Sequence, residues 1–538
     1  MKRFNYLFYI LAVPAVILGG LSCKKFLNTT PSGFLAPAAY YSTEPEMVSA
    51  LAGVYDILGY NRSQLYADEM FDQLGSCTDE GFYARSAELT GVQVYNFDYT
   101  NADINGFWSA LYMGIERANN LVANINLPSM DSTERQAILG EALFLRGFYY
   151  YLLVVNFGDV PLRLLPTVQT GVTTPDVPRT PTAQVYAQIL TDMEAAEGKC
   201  YPATFFGNSS RVSQTTVEGV LARVCLSMAG YPLQDKTKYA DALAWATKVQ
   251  ASGIHSLNPS YQQIFINEAQ DIFDIREAMW EACHYGNGTQ IFEEEGRLGN
   301  TNGIAYSATF NDSSVGYSYG FVDATAKLYY LYGAGDLRRD WNIATFSYTG
   351  SGSAVVKTPR GTLLYDRNCG KWRREDETLY PKNKNETPEN FPILRYADVL
   401  LMLAEAEDEV NGPDATAYNA INMVRRRGYG LPVNTPSTVS DLVPGLSQAQ
   451  FLDSLQNERA RELCYETLRK PDLVRWGIYT QTMAALGQEM QTDLGSNATW
   501  RYASLGATNA GSSTRYVLFP IPSGEISVNK AATQNPGY

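Results

Sequence analysis

Histidine is the side chain best suited to moving protons near neutral pH, and this chain of 538 residues has only two, His255 and His284. A Ser-His-Asp triad or a histidine-ligated metal would depend on one of this pair. His284 lies in the stretch EAMWEACHYGN, which is typical of a strand, and a lone histidine there is expected to be structural. The chain contains no GxSxG, HExxH or P-loop pattern. These observations predict a protein without catalytic residues.

Carboxylates leave one enzymatic alternative open. A glycosidase needs two carboxyl groups whose separation is set by the fold, so sequence spacing does not identify them. The run Glu293 to Glu295 invites this idea, but such a run is more typical of a solvated charged surface. Loop aspartates can also bind calcium, and four of them lack the spacing of an EF-hand: Asp98, Asp103, Asp312 and Asp323. We therefore predict no cofactor and leave a structural calcium ion open.

The composition points instead to binding through aromatic rings. Tyrosine is abundant, at 37 residues, and a flat ring with one hydroxyl suits the apolar face and hydroxyl rim of a sugar. Two loop-rich stretches, near residues 72–103 and within 255–392, concentrate such rings beside Asn, Asp and Arg. We predict that ligand is bound by Phe82, Tyr83, Arg85, Tyr99, Asn101, Tyr306, Asn311, Tyr317 and Tyr319.

Other aromatic residues in these stretches are harder to assign. Tyr95, Phe97 and Tyr99 alternate, so they share one face if the segment is extended. That face either binds ligand or is the buried side of a short strand, and the spacing does not decide between the two. Phe310 and Asp312 accompany the second group of candidates. Two further rings, those of Trp108 and Trp280, occur in regular elements and are predicted to lie in the core.

Helical periodicity dominates the rest of the chain and predicts the elements that must position these loops. Apolar residues recur at helical spacing in EPEMVSALAGVYDILG, INGFWSALYMGIERANNLVANI, ERQAILGEALFLRGFYYYLLVVNFGDVPL, RTPTAQVYAQILTDMEAAE, TTVEGVLARVCLSMAGY, TKYADALAWATKVQAS, LRYADVLLMLAEAEDEVNG and PDATAYNAINMVRRRG. Alanine occupies positions of close approach at Ala142, Ala222, Ala404 and Ala406. Tetratricopeptide arrays are built from paired antiparallel helices of this kind, although no strict 34-residue period is present in this chain.

We therefore predict a mainly α fold, a tetratricopeptide-like helical-hairpin scaffold with a large irregular, loop-rich insertion lobe. Residues 40–254 form the N-terminal helical part, with a binding-loop insertion near 72–103. Residues 255–392 form the irregular lobe, where one helix is expected around VDATAKLYYLYG, and residues 393–538 form C-terminal helices and a packed tail.

Several helix ends can be predicted from local motifs. Capping boxes are expected from Asp131 to Glu134 and from Ser447 to Gln450. Thr180 is a candidate N-cap, because Pro181 would then occupy the first helical position. The stretch NERARELCYETLRK is interpreted as a charged helix face with i,i+3 and i,i+4 pairs.

The N-terminus is typical of an exported protein. A positive start is followed by an apolar run shorter than the roughly 20 residues that span a membrane, so residues 1–22 are predicted to be a signal peptide. Cys23 follows small residues as in a bacterial lipobox, which predicts a lipidated cysteine and a tether over residues 23–39. The alternatives are an ordinary signal peptide with a chance cysteine and an uncleaved anchor. The other six cysteines are too sparse for a disulfide framework.

Charge excludes one class of partner. The chain has 42 basic and 56 acidic residues, a net charge of −14, and no basic cluster. Nucleic-acid binding needs such a cluster to neutralise phosphates, so we predict no nucleic-acid partner.

Five segments, taken in order, resemble the SusD/RagB-like lipoproteins of Bacteroidota. They are SCKKFLNTTPSG, FWSALYMGIERANNLV, GEALFLRGFYYYLLVVNFGDVPL, the pair ILRYADVLLMLAEAEDEVNG with NERARELCYETLRKPDLVRWG, and LFPIPSGEISVNKAATQNPGY. Two departures stand out. The family's usual Glu-Gly-x-Arg-Trp-Phe-Asp-Leu is replaced by Glu466 to Leu473, which reads ETLRKPDL. Lys24 and Lys25 follow the lipid cysteine, where acidic residues are common.

The resemblance implies a function. Such proteins are tetratricopeptide-like, are lipid-anchored at the outer-membrane surface, pair with a SusC-like TonB-dependent transporter and lack catalytic activity. They bind glycans, or peptides in some branches. We therefore expect a surface glycan-binding lipoprotein that captures substrate for such a transporter, with a peptide-binding subunit as the alternative. A lipid-anchored enzyme and a purely structural envelope lipoprotein are the competing classes.

Overall fold

A computed structural model describes residues 40–59, 65–85, 89–167, 176–289, 291, 294–307, 315–495 and 502–538. The predicted signal peptide, the predicted lipidated Cys23 and the tether to residue 39 lie outside these residues. So do three loop candidates, Phe310, Asn311 and Asp312, and one member of the acidic run, Glu293.

The structure confirms the predicted mainly α fold. Its α-helices are α1 (Glu44–Tyr55), α2 (Ala102–Asn124), α3 (Ser132–Phe157), α4 (Thr182–Glu197), α5 (Ala203–Phe206), α6 (Gln214–Ala229), α7 (Lys238–Ala251), α8 (Tyr261–Ala269), α9 (Ala326–Leu331), α10 (Arg339–Asn342), α11 (Tyr396–Asn411), α12 (Ala415–Gly428), α13 (Gln448–Leu463), α14 (Arg469–Arg475), α15 (Tyr479–Leu494), α16 (Leu505–Gly511) and α17 (Ser523–Val528). Each predicted helical segment contains one of them.

The long helices pack as an array in which neighbours share faces. α2 packs on α3, α3 on α4, α4 on α6 and α6 on α7, and α7 then meets α11, which packs against α12 and α13. Small residues allow the close contacts, because Ala142, Ala222, Ala404 and Ala406 are fully buried as predicted. α3 is apolar and long enough to cross a membrane, but 83% of its most apolar window is buried inside the protein. It is therefore the central core helix of the array.

Short antiparallel strands join the irregular segments to this scaffold. They are β1 (Gly81–Tyr83), β2 (Ala278–Ala282), β3 (Val322–Ala324), β4 (Phe346–Thr349), β5 (Val356–Pro359) and β6 (Phe391–Arg395). β1 pairs with β3, β2 with β6 and β4 with β5. Because β1 precedes α2 and β3 lies in the predicted lobe, the first pair ties the two loop-rich stretches together.

The main hydrophobic core of the described residues has buried members from Tyr41 to Ile521, and two smaller clusters accompany it. Trp108 and Trp280 belong to it, as predicted, and are 4% and 0% exposed. The six cysteines other than Cys23 are free, which agrees with the absence of a disulfide framework. The boundaries at residues 254 and 392 remain a proposal.

Helix ends follow the local predictions only in part. Ser447 and Gln450 form the predicted capping box. Asp131 caps α3, but the carboxylate of Glu134 accepts a hydrogen bond from the Tyr201 hydroxyl instead of closing a box. The predicted Thr180 cap is wrong, because α4 begins at Thr182, whose N–H donates to the Asp159 carboxylate at 2.7 Å. That cap comes from 23 residues away and has no local motif.

The charged stretch around α13 is buried, not a solvated helix face. Glu458, Arg459 and Glu462 are each at most 3% exposed. Glu462 bonds the guanidinium groups of Arg395 and Arg427 from other elements. The stretch therefore forms long-range ion pairs inside the protein, in addition to the predicted i,i+3 pair of Glu458 with Arg461.

Candidate ligand-binding site

Three aromatic residues lie close together in the segment that leads into β3. The N–H groups of Tyr319 and Phe321 donate to the carbonyls of Asn300 and Thr301, at 2.7 and 2.6 Å. Gly320 has a left-handed backbone conformation, with φ 63°, so the segment is not a regular strand, yet its rings are neighbours. The Tyr317 and Tyr319 ring centres are 4.8 Å apart, and those of Tyr319 and Phe321 are 4.9 Å apart and stacked.

A ring from the first loop-rich stretch extends this series. In the β1–β3 pair Tyr83 lies opposite Val322, and the Ala84 N–H donates to the Phe321 carbonyl at 2.7 Å. The pairing brings the Tyr83 ring centre within 5.5 Å of that of Phe321. We call these four rings the ring row: Tyr83, Phe321, Tyr319 and Tyr317.

Cationic side chains accompany the ring row along its length. The Arg85 guanidinium lies 5.2 Å from the Phe321 ring centre, and that of Arg297 lies 6.0 Å from Tyr319. The Lys384 ammonium lies 5.0 Å from Tyr317. These distances are within the range of cation–π attraction. The rings and cations come from four separate chain segments.

Exposure and polar contacts decide which atoms can meet a ligand. Tyr317, Tyr319 and Phe321 are half-buried, whereas Tyr83 is buried and closes one end of the row. The Tyr319 hydroxyl donates to the exposed side-chain amide of Asn385 at 3.1 Å. Half-exposed ring surface beside a hydroxyl, an amide and cationic groups can stack on a sugar and hydrogen-bond its rim.

Buried acids lie behind Arg297. Asp68 pairs with the Arg297 guanidinium at 2.9 Å, and burial raises the pKa of this carboxyl to about 6. Burial, reinforced by the nearby Asp103 charge, raises the pKa of Glu69 to about 9. Burial also raises the pKa of Asp72 well above its ordinary value. At neutral pH Glu69 is therefore protonated, and Asp68 is the acid that pairs directly with the Arg297 guanidinium.

The structure brings together Tyr83, Arg85, Tyr317 and Tyr319 among the nine predicted ligand-binding residues. Phe82 is instead 1% exposed and packs on Tyr365, and Tyr306 is 4% exposed and packs on Tyr348. Both rings fill the interior, so the expectation of exposed platforms at these positions is corrected. Asn311 lies outside the described residues.

Two more candidates have roles at helix ends. Asn101 is the N-cap of α2, and its side-chain oxygen accepts from the Ile104 N–H at 3.0 Å. Tyr99 is 45% exposed, and its carbonyl accepts from the N–H of Ser523, the first residue of α17. Neither residue is placed in the ring row by these contacts.

Two of the three alternating rings of the first stretch, Tyr95 and Phe97, are buried, whereas Tyr99 is exposed. Tyr95 has a left-handed backbone conformation, with φ 52°, so the segment is not a continuous strand. Tyr95 and Phe97 are 2% and 8% exposed and pack against Tyr516 near the C-terminus. Their function is to anchor the tail to the core.

His284 has structural surroundings, as predicted, although it lies two residues beyond the end of β2, and His255 is also held by hydrogen bonds. His255 contacts the Thr215 hydroxyl and the Ile275 carbonyl, each at 2.8 Å. His284 is fully buried, which lowers its pKa to about 4, and its Nδ1 lies 3.1 Å from the Glu389 carbonyl. The acidic run is only partly a solvated surface, because Glu295 is 2% exposed and accepts from the Gly288 N–H.

The calcium candidates do not gather into a site in the described part of the chain. Among those residues no group of three or more His, Cys, Asp or Glu side chains could hold a metal ion. Asp323 is buried and bonds the Asn368 amide at 2.7 Å, while Asp98 accepts from the Thr100 hydroxyl at a turn. Asp103 contributes its charge to the buried acids described above.

Sequence reasoning missed Phe321, Arg297, Lys384 and Asn385. Phe321 continues the alternation of Tyr317 and Tyr319 by one step, and that spacing could have identified it. Arg297, Lys384 and Asn385 reach the row from segments distant in sequence. Asn300 brings the Lys384 segment to the Tyr317 segment, because its buried amide donates to the carbonyls of both residues.

The comparisons with known proteins all point to the same family. The model described as "SusD family" matches residues 348–538, and the model described as "Starch-binding associating with outer membrane" matches residues 40–226. A SusD-like protein of Formosa agariphila is 25% identical over the full length of both chains. The starch-binding protein SusD of Bacteroides thetaiotaomicron is 22% identical, over 86% of this chain and 84% of that protein.

A solved structure agrees with these matches. The crystal structure of a SusD homolog from Bacteroides thetaiotaomicron superposes with a TM-score of 0.84, at 28% identity, over 93% of this chain and 98% of that one. The family models cover both the helical scaffold and the C-terminal part, in the order that the sequence resemblance requires. The chain therefore belongs to the SusD/RagB-like family of Bacteroidota proteins.

Proposed function

We propose that this protein binds glycans at the outer surface of the outer membrane and captures them for a SusC-like TonB-dependent transporter. The observation that carries the proposal is the ring row, in which half-exposed aromatic rings lie beside a tyrosine hydroxyl and the Asn385 amide. Stacking and hydrogen bonding would hold the sugar, and no bond would be broken.

The relatives support the same chemical class. One matching family is described as starch-binding and associated with the outer membrane, and one relative is named a starch-binding protein. A lipid anchor at Cys23 would hold the protein on that membrane, since several acyl chains give effectively permanent attachment. The transporter partner and surface exposure rest on the resemblance alone.

The binding test uses the chain from Lys24 onward, which contains every described residue. Affinity gels and calorimetry with starch, laminarin and other plant, host and microbial glycans are compared for the wild type, Tyr317→Ala and Tyr319→Ala. We expect at least one glycan to bind and the tyrosine variants to lose tenfold or more in affinity, because truncating a tyrosine that anchors an interface costs about 2 kcal/mol or more. Tyr330→Ala is the matched control, since Tyr330 is 74% exposed and lies outside the row.

Other outcomes separate the competing functions. Binding of a mixed oligopeptide pool without glycan binding would move the protein to the peptide branch. Release of reducing ends from a bound polysaccharide would establish an enzyme. Retention of all glycan binding in both Tyr317→Ala and Tyr319→Ala would show that the ring row is not the site.

The anchor and the partner need their own test. Cys23→Ser should release the protein from the membrane fraction of its host, whereas the wild type should remain in that fraction. On intact cells, added protease should cleave the wild type. Copurification of a TonB-dependent transporter with the wild type would support the capture role. If the wild type purifies from detergent-solubilised membranes without any transporter, that result would argue for a purely structural lipoprotein.

A further inference from the structure

We propose that the ring row selects anionic glycans, whose carboxylate or sulfate groups pair with the cations beside the rings while the sugar faces stack on them. This inference rests on the proposed glycan-binding function and narrows it to a chemical class. It makes Lys384, with Arg297 and Arg85, a determinant of specificity.

Every half-exposed ring in the row has its own cation. Lys384, Arg297 and Arg85 lie over Tyr317, Tyr319 and Phe321, at 5.0, 6.0 and 5.2 Å from the ring centres. A ligand that stacks on these rings must therefore place part of its rim beside positive charge. A neutral sugar gains little from such a group, whereas a uronate or a sulfate gains a charge-assisted hydrogen bond.

Lys384 is held in place by its backbone, while its side chain remains exposed. The buried Asn300 amide donates to the Lys384 carbonyl at 2.8 Å and to the Tyr317 carbonyl at 3.0 Å. One residue thus holds the backbone of Lys384 beside the backbone of Tyr317. Within the described residues Lys384 forms no ion pair, so its charge is left to face solvent or a ligand.

The neighbouring acids cancel only part of this positive charge. Asp68 bonds Arg297 directly, whereas the half-buried Glu69, with a pKa of about 9, is protonated at neutral pH. Lys384, which forms no ion pair among the described residues, adds its positive charge to the row on a protein whose total charge is −14. Because that total charge repels a polyanion at long range, an acidic glycan needs the local cations of the row in order to bind.

The test compares glycans that differ only in charge. The probes are polygalacturonate with its methyl ester, for carboxylate, and dextran sulfate with dextran, for sulfate. We expect one acidic member to bind at least tenfold more tightly than its neutral counterpart, with an affinity that falls as NaCl rises from 20 to 500 mM. The member that binds identifies which of the two anionic groups is recognised.

A matched pair of variants assigns the effect to the row. Lys384→Gln should weaken binding of the acidic glycan about fivefold, the upper end for one exposed ion pair, and should flatten its salt dependence. Lys236→Gln should leave binding unchanged, although the Lys236 ammonium also lies 5.0 Å from a ring centre, that of Tyr239 at the start of α7.

Each contrary result has a distinct meaning. Equal binding of neutral and acidic members, with loss in Tyr319→Ala, would overturn the anionic preference and leave the glycan-binding function standing. Binding of no glycan at all would overturn both. Binding of poly-L-glutamate without any acidic glycan, again weakened by Lys384→Gln, would overturn the sugar class in favour of acidic peptides.

Discussion

Two buried lysines have opposite surroundings in this protein. Lys371 donates to the Glu466 carboxylate at 2.7 Å, and neighbouring negative groups raise its pKa. Lys470 is 6% exposed and lies among aromatic rings, 4.3 Å from the Phe519 ring centre and 5.1 Å from that of Tyr95. Its ammonium has no hydrogen-bond partner among the described residues. Burial therefore lowers the pKa of Lys470 to about 7.

Replacing Lys470 should stabilise the protein. Lys470→Met keeps the length of the side chain and removes a poorly compensated charge, so the free energy of unfolding should rise by a few kcal/mol at pH 6, given about 1.4 kcal/mol per pKa unit. Between pH 7 and about 10.5 the unfolded lysine binds a proton that the folded one does not. Wild-type stability should therefore approach that of the variant as pH rises, in urea unfolding measured from pH 6 to 9.

The other lysine provides the comparison. Lys371→Met deprives the buried Glu466 of a partner, so it should lower the unfolding free energy under the same conditions. If Lys470→Met is as destabilising as Lys371→Met, the aromatic surroundings of Lys470 stabilise its ammonium enough to offset burial. The sequence shows that Lys470 replaces an aromatic residue of the family pattern, but only the structure shows the rings around it.

Single residues also show where prediction from sequence ends. Tyr317 and Tyr319 could be proposed because their type and spacing are local facts. Phe82 and Tyr306 have the same type in similar stretches, yet they are buried. Exposure depends on what packs above a ring, and in these cases the covering residues, Tyr365 and Tyr348, lie more than 40 positions away in sequence.

At the scale of elements, the α2–α3 contact depends on the absence of a side chain. A Cβ atom at Gly114 would lie 2.5 Å from the Tyr149 ring. That ring cannot easily move, because Tyr149 is fully buried and its hydroxyl donates to the Val54 carbonyl at 2.6 Å. We expect Gly114→Ala to lower the unfolding free energy by about 1–3 kcal/mol through overpacking.

Gly53 in α1 is the matched control for this prediction. Its added Cβ would meet nothing within 4 Å, so Gly53→Ala should stabilise the helix by about 0.5–1 kcal/mol through lower chain entropy. Thermal unfolding of the two variants beside the wild type measures both effects. A loss of stability in both variants would show that helix glycines are needed here for a reason other than close approach.

The ion pairs around α13 are a second property of an element. Arg395 is fully buried and bonds Glu277, Glu462 and Glu466 at 2.7–3.0 Å. Arg395→Met would leave these carboxylates undercompensated, at an expected cost of about 3–5 kcal/mol. Arg339→Met removes the partly exposed pair with Asp340 and should change stability by less than about 1 kcal/mol.

The pH dependence of the same variant tests the cause. The arginines around Glu462 lower its pKa to about 2, so in the wild type its contribution is present above pH 4.5 and is lost as pH falls through 2. Without Arg395 the carboxylates should take up protons at higher pH, and the deficit of the variant should shrink between pH 7 and pH 4. A deficit that stays constant would point to lost packing instead of lost charge pairing.

Helices were predictable from sequence because their apolar spacing is local, whereas some of their ends were not. α4 is capped by Asp159 from beyond the helix, and Glu134 bonds Tyr201 instead of its own N-cap. The burial of α13 was missed for a related reason. A run rich in Arg and Glu is usually solvated, and only its partners on β6 and α12 reveal that it is internal.

For the whole molecule, the candidate site depends on pairing between distant segments. β1 and β3 meet across about 240 residues of sequence, and their register places Tyr83 against Phe321. No local pattern specifies that register, so sequence reasoning could name candidates on both sides without joining them. The resemblance to the family predicted the scaffold, but binding loops vary within it, and the cations beside the rings were found only in the structure.

The C-terminal tail packs against the end of α3 and against the first loop-rich stretch. The amide of Asn535 donates to the carbonyls of Phe157, at the end of α3, and Phe519, at 2.9 and 2.7 Å. Its side-chain oxygen accepts from the Arg179 guanidinium at 2.5 Å. The terminal Tyr538 ring stacks on Phe97, with ring centres 6.0 Å apart. Asn535 thereby satisfies one buried carbonyl at the end of the central helix and another before the tail.

Asn535→Ala should therefore destabilise the whole fold. Two buried carbonyls and one guanidinium would lose a partner, at an expected cost of at least about 2 kcal/mol in unfolding free energy. We also expect faster proteolytic cleavage after the tail residue Lys530, because the tail would be released first. Asn419→Ala on the exposed side of α12 should stay within about 0.5 kcal/mol of the wild type. Glycan affinity should be unchanged in both variants when measured below the unfolding transition, since neither residue belongs to the ring row. A loss of affinity in Asn535→Ala with the fold intact would mean that the tail helps to hold the site, and that the ring row is less self-contained than its hydrogen bonds to Asn300 and Thr301 indicate.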